Sequence, residues 1–318
     1  MNFKKLISKN RLLFIIIILI IGILLTIFNR YLYNFVNNYG INIEGFDSSI
    51  INTDSFTLNS NIEEIYDGFY SKIYDHLTYD QGKHNFEIDN IKDKTSITKK
   101  SNILDIGSGT GHLLGGLENT GCNLTGIDKS KYMCIKAKEN YPKINFINDD
   151  VLRSIIFDNE TFSHITCMYF TLYYIKDKRL FFKNCYDWLV PGGHMIIHLV
   201  NKNMFDPVLS PGNPLHSVNA QKYAPERIVE TNIVFNNYRY KSEFLIDNKK
   251  HNNTEFVERF SNKESKKVFR KNVHTLYMEE QKPILNMAKE IGFVLKAKAD
   301  MTVATYEYNY IYFLQKPN

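Results

Sequence analysis

The sequence predicts an α/β fold: a doubly wound, mostly parallel seven-stranded sheet with an antiparallel insertion, preceded by an N-terminal transmembrane helix. Three observations lead there. Between residues 102 and 200 short apolar runs alternate with helical segments, the rhythm that parallel pairing requires. A glycine-rich turn, Asp105-Ile106-Gly107-Ser108-Gly109-Thr110-Gly111, follows directly on the apolar Ile103-Leu104. An acid then stands 23 positions on, at Asp128, and another 22 positions beyond it, at Asp150, where the next two strands are expected to end.

Taken in order, Ile65, Tyr66, Phe69, Tyr70, Ile73, Tyr74 and Leu77 recur at spacings of three and four and predict one helix over 62–77, ending near Asp80-Gln81-Gly82. A second helix is expected at 86–91. The alternation begins with a strand over 102–106, a helix over 111–117 ended by Gly121, a strand over 124–127 and a helix over 131–140 stopped before Pro142. Strands at 144–147 and 162–168 come next. A helix over 178–189 is expected to halt at Pro191-Gly192-Gly193, before a strand over 194–200. Residues 201–277 break the rhythm: Pro207, Pro211, Pro214 and Pro225 lie in loop-like sequence, and alternating runs at 233–246, 255–260 and 268–277 read as antiparallel hairpins placed where a substrate lid belongs. A helix over 279–291 and strands at 293–300 and 308–315 close the chain.

The N-terminal region is organised differently. Leu12–Phe28 is a 17-residue run without charge, interrupted only by Gly22 and Thr26, which at helical rise covers about 26 Å, enough to span a bilayer. Tyr31 and Tyr33 suit interfacial anchoring. Residues 1–30 are therefore expected to be an uncleaved single-pass membrane anchor, 31–60 a linker and 61–318 one catalytic domain. Lys4, Lys5, Lys9 and Arg11 precede the span and only Arg30 follows closely, so the positive-inside rule places the N-terminus in the cytosol.

Those five residues account for the whole net charge of +5, since the remaining 34 basic residues match the 34 acidic ones. A neutral folded part argues against a general nucleic-acid surface. The stretch Lys263–Lys271 is locally basic and reads as a solvated hairpin. Cys122, Cys134, Cys167 and Cys185 contain no Cys-x-x-Cys pair, so neither a metal site nor a disulfide framework is expected.

The chemistry resides in the turn and the acids. Glycines let backbone approach a ligand closely, and carboxylates accept hydrogen bonds from ribose hydroxyls and an adenine amine, so the pattern suits an adenosine group. A dinucleotide fingerprint, Gly-x-Gly-x-x-Gly, fits less well, because Gly107, Gly109 and Gly111 are spaced two and two and His112 stands where the third glycine belongs. Taken singly, each acid also has a plainer role: Asp105 satisfying the turn, Asp128 capping a helix, Asp149 and Asp150 in a surface loop.

With Ile103–Gly111, Leu124–Asp128, Asn148–Leu152 and Trp188–Gly193 in this order, the chain resembles the class I S-adenosyl-L-methionine-dependent methyltransferases, well over 62–200 and more loosely over 279–315. The resemblance implies a Rossmann-like methyltransferase fold and S-adenosylmethionine as cofactor. It passes Gly107, Gly109 and Gly111 under the donor beside Asp105, gives the ribose to Asp128, and gives the adenine amine to Asp150 in preference to Asp149. Of the stripe Tyr66, Tyr70 and Tyr74, Tyr70 is the expected aromatic near the sulfonium. Methyl transfer needs mainly alignment and exclusion of water, with a base only where the acceptor must lose a proton. For that chemistry Tyr173, after the strand at 162–168, is expected to shape the acceptor site and His198 to serve as base; His274, on an inserted strand, ranks behind them. The 169–174 segment carries no acceptor signature, which leaves the acceptor a small molecule, a lipid or a membrane-associated protein. The alternative is a methyltransferase-fold binding or scaffolding module without turnover.

Overall fold

The computed structural model describes residues 55–212, 220–246 and 253–318. The apolar run at 12–28 and the linker up to residue 54 lie outside the described residues, among which no helix is long and apolar enough to cross a membrane.

From its first described element the chain runs β1 (Thr57–Asn59), α1 (Ile62–Ile65), α2 (Gly68–Thr78), α3 (Gln81–Thr95), β2 (Asn102–Ile106), α4 (His112–Leu117), β3 (Asn123–Asp128), α5 (Lys131–Asn140) and β4 (Asn145–Asn148). It continues with β5 (Phe162–Cys167), α6 (Thr171–Tyr174), α7 (Lys178–Trp188), β6 (Leu189–Val200), β7 (Glu230–Val234), β8 (Tyr238–Ile246), β9 (Asn253–Asn262) and β10 (Val268–Tyr277). The last elements are α8 (Gln281–Ile291), β11 (Val294–Asp300) and β12 (Asn309–Gln315).

Seven strands form the main sheet in the order β11-β12-β6-β5-β2-β3-β4, with β12 antiparallel to both neighbours and the rest parallel. The order reverses at β2, whose neighbours β5 and β3 bring the carboxyl ends of β2 and β3 to the switch point where such sheets bind ligands. Its inner strands are buried on both faces, which is why Ile103-Leu104 and Met195-Ile196-Ile197 are continuous apolar runs.

Residues 230–277 build a second, five-stranded sheet, β1-β10-β9-β8-β7, in which every pairing but one is antiparallel. The exception is β1. Thr57–Asn59, read from sequence as the end of the linker, joins the sheet edge parallel to β10, with Thr57 opposite Arg270. The run at 233–246 is two strands joined by a tight turn, closed by the Phe235 N–H donating to the Tyr238 carbonyl. In the basic stretch, Lys263, Lys266 and Lys267 sit on the exposed turn as expected, but Arg270 points inward and is buried.

That arginine explains the first departure from the predicted elements. The helix expected over 62–77 is two, because Arg270 Nη2 donates to the Ile65 carbonyl at 2.7 Å and Nη1 to Asp67 at 2.7 Å, while Asp67 caps α2 by accepting from Tyr70 N at 2.9 Å. Helical periodicity survives the break, since Ile65, Tyr70, Ile73 and Leu77 are all buried. Replacing Arg270 by methionine is expected to cost about 3 kcal/mol, because the helix terminus and Asp67 lose their shared cation; chemical denaturation measures it.

Two further elements differ. The helix expected at 86–91 extends over Gln81–Thr95, capped by Asp80, which accepts from Lys83 N at 2.9 Å. Its buried face carries Lys83, His84 and Glu87 beside Ile88 and Ile91, so hydrophobic spacing captures only its middle. Pro191-Gly192-Gly193 does not stop α7 before a later strand; β6 starts at Leu189 and runs through it, absorbing the irregularity between the Phe162–Leu189 and His164–His194 pairs.

Candidate active site

The carboxyl ends of β2, β3 and β4 open on a cleft of about 300 Å³ lined by Ile106, Gly107, Gly109, Asp128, Asp149 and Asp150 among others. Each glycine of the turn has a positive φ, but their surroundings differ. A Cβ at Gly107 would stand 2.4 Å from Thr171 Cγ2, so α6 packs on bare backbone there. At Gly109 it would meet only Tyr74, at 3.6 Å, an ordinary van der Waals contact. Gly111 is a correction to the expectation that three glycines pass beneath the donor: it does not line the cleft, and its hydrogen atom faces Phe146, Tyr141 and Ala137, 2.8 to 3.2 Å from where a Cβ would be.

Asp128 ties the turn together. Its Oδ2 accepts from Gly109 N at 2.9 Å and its Oδ1 from Ser130 N at 2.8 Å, leaving a lone pair on each oxygen for a diol. Burial pushes its carboxyl above the usual range, against the pull of those two N–H groups. Asp150 lines the same wall, accepting from Leu152 N at 3.0 Å and pairing with Lys129 Nζ at 3.2 Å. Asp149 is committed to Arg153 Nη1 at 2.8 Å and to Asp150 N at 2.7 Å, which makes Asp150 the freer acceptor.

Two smaller cavities adjoin this cleft. One, of about 110 Å³, lies beside the glycine turn and carries Lys83, Glu87, Asp105, Ser108 and His112. The other, of about 100 Å³, lies under the inserted sheet among Tyr66, Tyr169, Phe170, Tyr174, Phe205, Phe256 and Tyr306. Tyr74 and Thr171 line all three spaces, so these two side chains mark where the spaces meet.

The charged cavity suits a zwitterionic amino-acid tail. Lys83, buried with its Nζ 4.0 Å from the centre of the Tyr169 ring, provides a cation for a carboxylate. Asp105, whose Oδ1 accepts from Thr166 at 2.7 Å, and Glu87 provide anions for an ammonium. Burial lifts each of these two carboxyls to about 7, and the buried Glu87 Oε1 and Ser108 Oγ have no hydrogen-bond partner within the protein. Because both acids hold protons more tightly folded than unfolded, donor-free protein should lose stability as pH rises from about 4 through 7. A cationic tail needs the ionised forms, so calorimetric affinity for S-adenosylhomocysteine is expected to rise about tenfold between pH 6 and 8; a flat profile would remove these acids from the tail site.

Three other expected site residues lie outside the main cleft. His198 is fully buried, with Nδ1 3.0 Å from the Tyr169 carbonyl and Nε2 3.1 Å from Asn309 Oδ1, and burial lowers its pKa to about 4. Tyr173 is also fully buried, its hydroxyl accepting from Val200 N at 2.9 Å. Neither lines any of the three spaces, and both hold β6 against the α6 region. Tyr70 donates to Glu258 Oε1 at 2.8 Å and lines the aromatic cavity but not the main cleft, whereas its stripe-mates Tyr66 and Tyr74 line both.

Glu258 was missed altogether. It is fully buried, yet its carboxylate accepts from Tyr70, Tyr240 at 2.7 Å, Asn272 at 2.9 Å and His274 at 2.8 Å. Burial would raise its pKa, but the His274, Asn272 and Tyr240 donors together hold it below the usual carboxylate range. Strand alternation contained the signal: Phe256, Glu258 and Phe260 share one face of β9, placing an acid between two aromatic rings.

A protein-family profile described as a methyltransferase domain matches residues 103–193, which span β2 through the start of β6 and hold Gly107, Gly109, Asp128 and Asp150. The chain carries a class I methyltransferase domain. The donor of that family is S-adenosylmethionine. Among curated proteins, a ubiquinone biosynthesis O-methyltransferase of Coxiella burnetii is 31% identical over 109 residues, which are 33% of this chain and 46% of that protein. The chain thus matches about half the length of that relative. Two solved structures share the methyltransferase fold over most of the chain. An S-adenosylmethionine-dependent methyltransferase from Clostridium acetobutylicum has a TM-score of 0.57 and 17% identity, covering 81% of this chain and 100% of its own. The CcbJ methyltransferase from Streptomyces caelestis has a TM-score of 0.58 and 13% identity, covering 80% and 98%.

Proposed function

We propose that this protein transfers the methyl group of S-adenosylmethionine to a small, largely apolar acceptor. The observation that carries the reading is the junction at Tyr74 and Thr171, where a cleft fit for the nucleoside, a charged cavity and an aromatic cavity meet. When bound, the donor supplies an electrophilic methyl group. The chain supplies alignment and dryness: Asp128 and Asp150 hold the nucleoside, Lys83, Asp105 and Glu87 hold the tail, and the tyrosine cluster keeps water from the line of transfer. An aromatic cavity of about 100 Å³ is of the order that holds a single ring, and the O-methyltransferase name of the Coxiella burnetii relative favours an oxygen acceptor.

Calorimetry with S-adenosylhomocysteine tests the donor half, and mass spectrometry of membrane fractions with and without the active protein, searching for methyl-sized mass differences, tests the acceptor half. Donor binding with no transfer to any acceptor would favour the scaffolding alternative. As part of the same reading, residues 12–28 anchor the enzyme in a membrane. The full chain is then expected to stay with membranes through an alkaline wash, while a chain lacking residues 1–30 is released; equal release of both would overturn the anchor.

A further inference from the structure

The aromatic cavity ends in a directed chain of hydrogen bonds. Glu258 faces donors only, so it is an ionised acceptor, and His274 Nε2, 2.8 Å from its Oε2, carries the hydrogen. With His274 as the neutral Nε2–H tautomer, Nδ1 is an acceptor and the Tyr174 hydroxyl, 2.7 Å away, donates to it. The Tyr174 oxygen in turn faces the Tyr66 hydroxyl at 3.0 Å, which donates to it. Every proton along Tyr66, Tyr174 and His274 therefore points toward Glu258. The outer member, Tyr66, lines both the donor cleft and the aromatic cavity, with a lone pair free for whatever occupies the junction.

Resting on the proposed methyl transfer, we infer that Tyr66, Tyr174, His274 and Glu258 form a proton relay that takes the proton from a hydroxyl-bearing acceptor, a phenol or an enol, as its oxygen attacks the methyl group. The acceptor O–H bond breaks and its electron pair stays on the acceptor oxygen. That proton passes to the Tyr66 oxygen, the Tyr66 proton passes to Tyr174, and the Tyr174 proton passes to His274 Nδ1. The product is an imidazolium held by the Glu258 carboxylate. Burial keeps both phenols well above their ordinary pKa, so they act as conduits and the proton comes to rest on the imidazole. Tyr70, Tyr240 and Asn272 serve as positioning residues, fixing the carboxylate from its other sides.

The test uses 4-nitrophenol, a one-ring phenol whose anion absorbs in the visible, with the full chain and no donor. The wild-type protein should bind it and show the nitrophenolate band at pH values where the free probe is still neutral. Since Glu258 holds several donors and its replacement can unfold the inserted sheet, Tyr174→Phe carries the test, with His274→Gln beside it. His274→Gln, at a residue that lines none of the three spaces, should bind S-adenosylhomocysteine as the wild type does, and both variants should ionise at least tenfold less of the bound probe. Wild-type protein that leaves the probe neutral or does not bind it, or a Tyr174→Phe protein that ionises it equally well, overturns the relay. Loss of S-adenosylhomocysteine binding by the wild type itself would instead overturn the methyl-transfer reading, since the probe is read without donor.

Discussion

Replacing Asp128 by alanine is expected to weaken binding of S-adenosylhomocysteine by about 100-fold or more. Two charge-assisted hydrogen bonds to a ribose diol, each contributing about 1.5 kcal/mol or more, would together account for a factor of that size. The same carboxylate also fixes Gly109 N and Ser130 N, so its removal loosens the turn as well as the ligand. Asp128→Asn separates the two contributions. It keeps the shape and one accepting oxygen, and should fall between alanine and wild type in a calorimetric titration. Affinity of Asp128→Ala within threefold of wild type would mean that the nucleoside does not lie against β3.

The second large effect is a contrast between two glycines two positions apart. Gly111→Ala should destabilise the fold by about 2–4 kcal/mol, since its φ of 87° disfavours a side chain and the new methyl would press on Phe146 at 2.8 Å. Gly109→Ala meets nothing nearer than Tyr74 at 3.6 Å, so it should cost only the backbone strain of about 1–2 kcal/mol. Gly109, however, lines both the donor cleft and the charged cavity. Gly109→Ala is therefore expected to lose donor affinity while keeping most of its stability, and Gly111→Ala to lower the denaturation midpoint far more. Comparing denaturation curves with donor titrations for the two proteins checks this, and the reverse pattern would displace the donor from the turn.

The main sheet was legible because its signals are local. Apolar runs bounded by Gly121, Pro142 and the motif acids specify each strand and crossover helix without reference to distant residues. The same local signals locate Asp128, at the end of β3, and Asp150, two residues after β4. What sequence alone did not disclose depends on partners far along the chain. The split between α1 and α2 follows from an arginine 203 positions away. Tyr70 belongs to the right stripe, but its hydroxyl is claimed by Glu258, 188 positions on. His198 and Tyr173 sit near strand ends where acceptor groups often lie, yet the contacts that bury them come from Asn309 and Val200. The charged cavity was hidden because Lys83 and Glu87 interrupt the apolar spacing of α3.

The donor cleft and the proton relay draw on different sheets. The glycine turn and motif acids belong to strands β2 to β4, whereas Glu258 and His274 stand on β9 and β10, within a block of chain that departs after β6 and rejoins at α8. The inner end of the proposed relay is therefore carried by a stretch of chain separate from the strands that hold the glycine turn and the motif acids, while its outer members, Tyr66 and Tyr174, stand where the two meet.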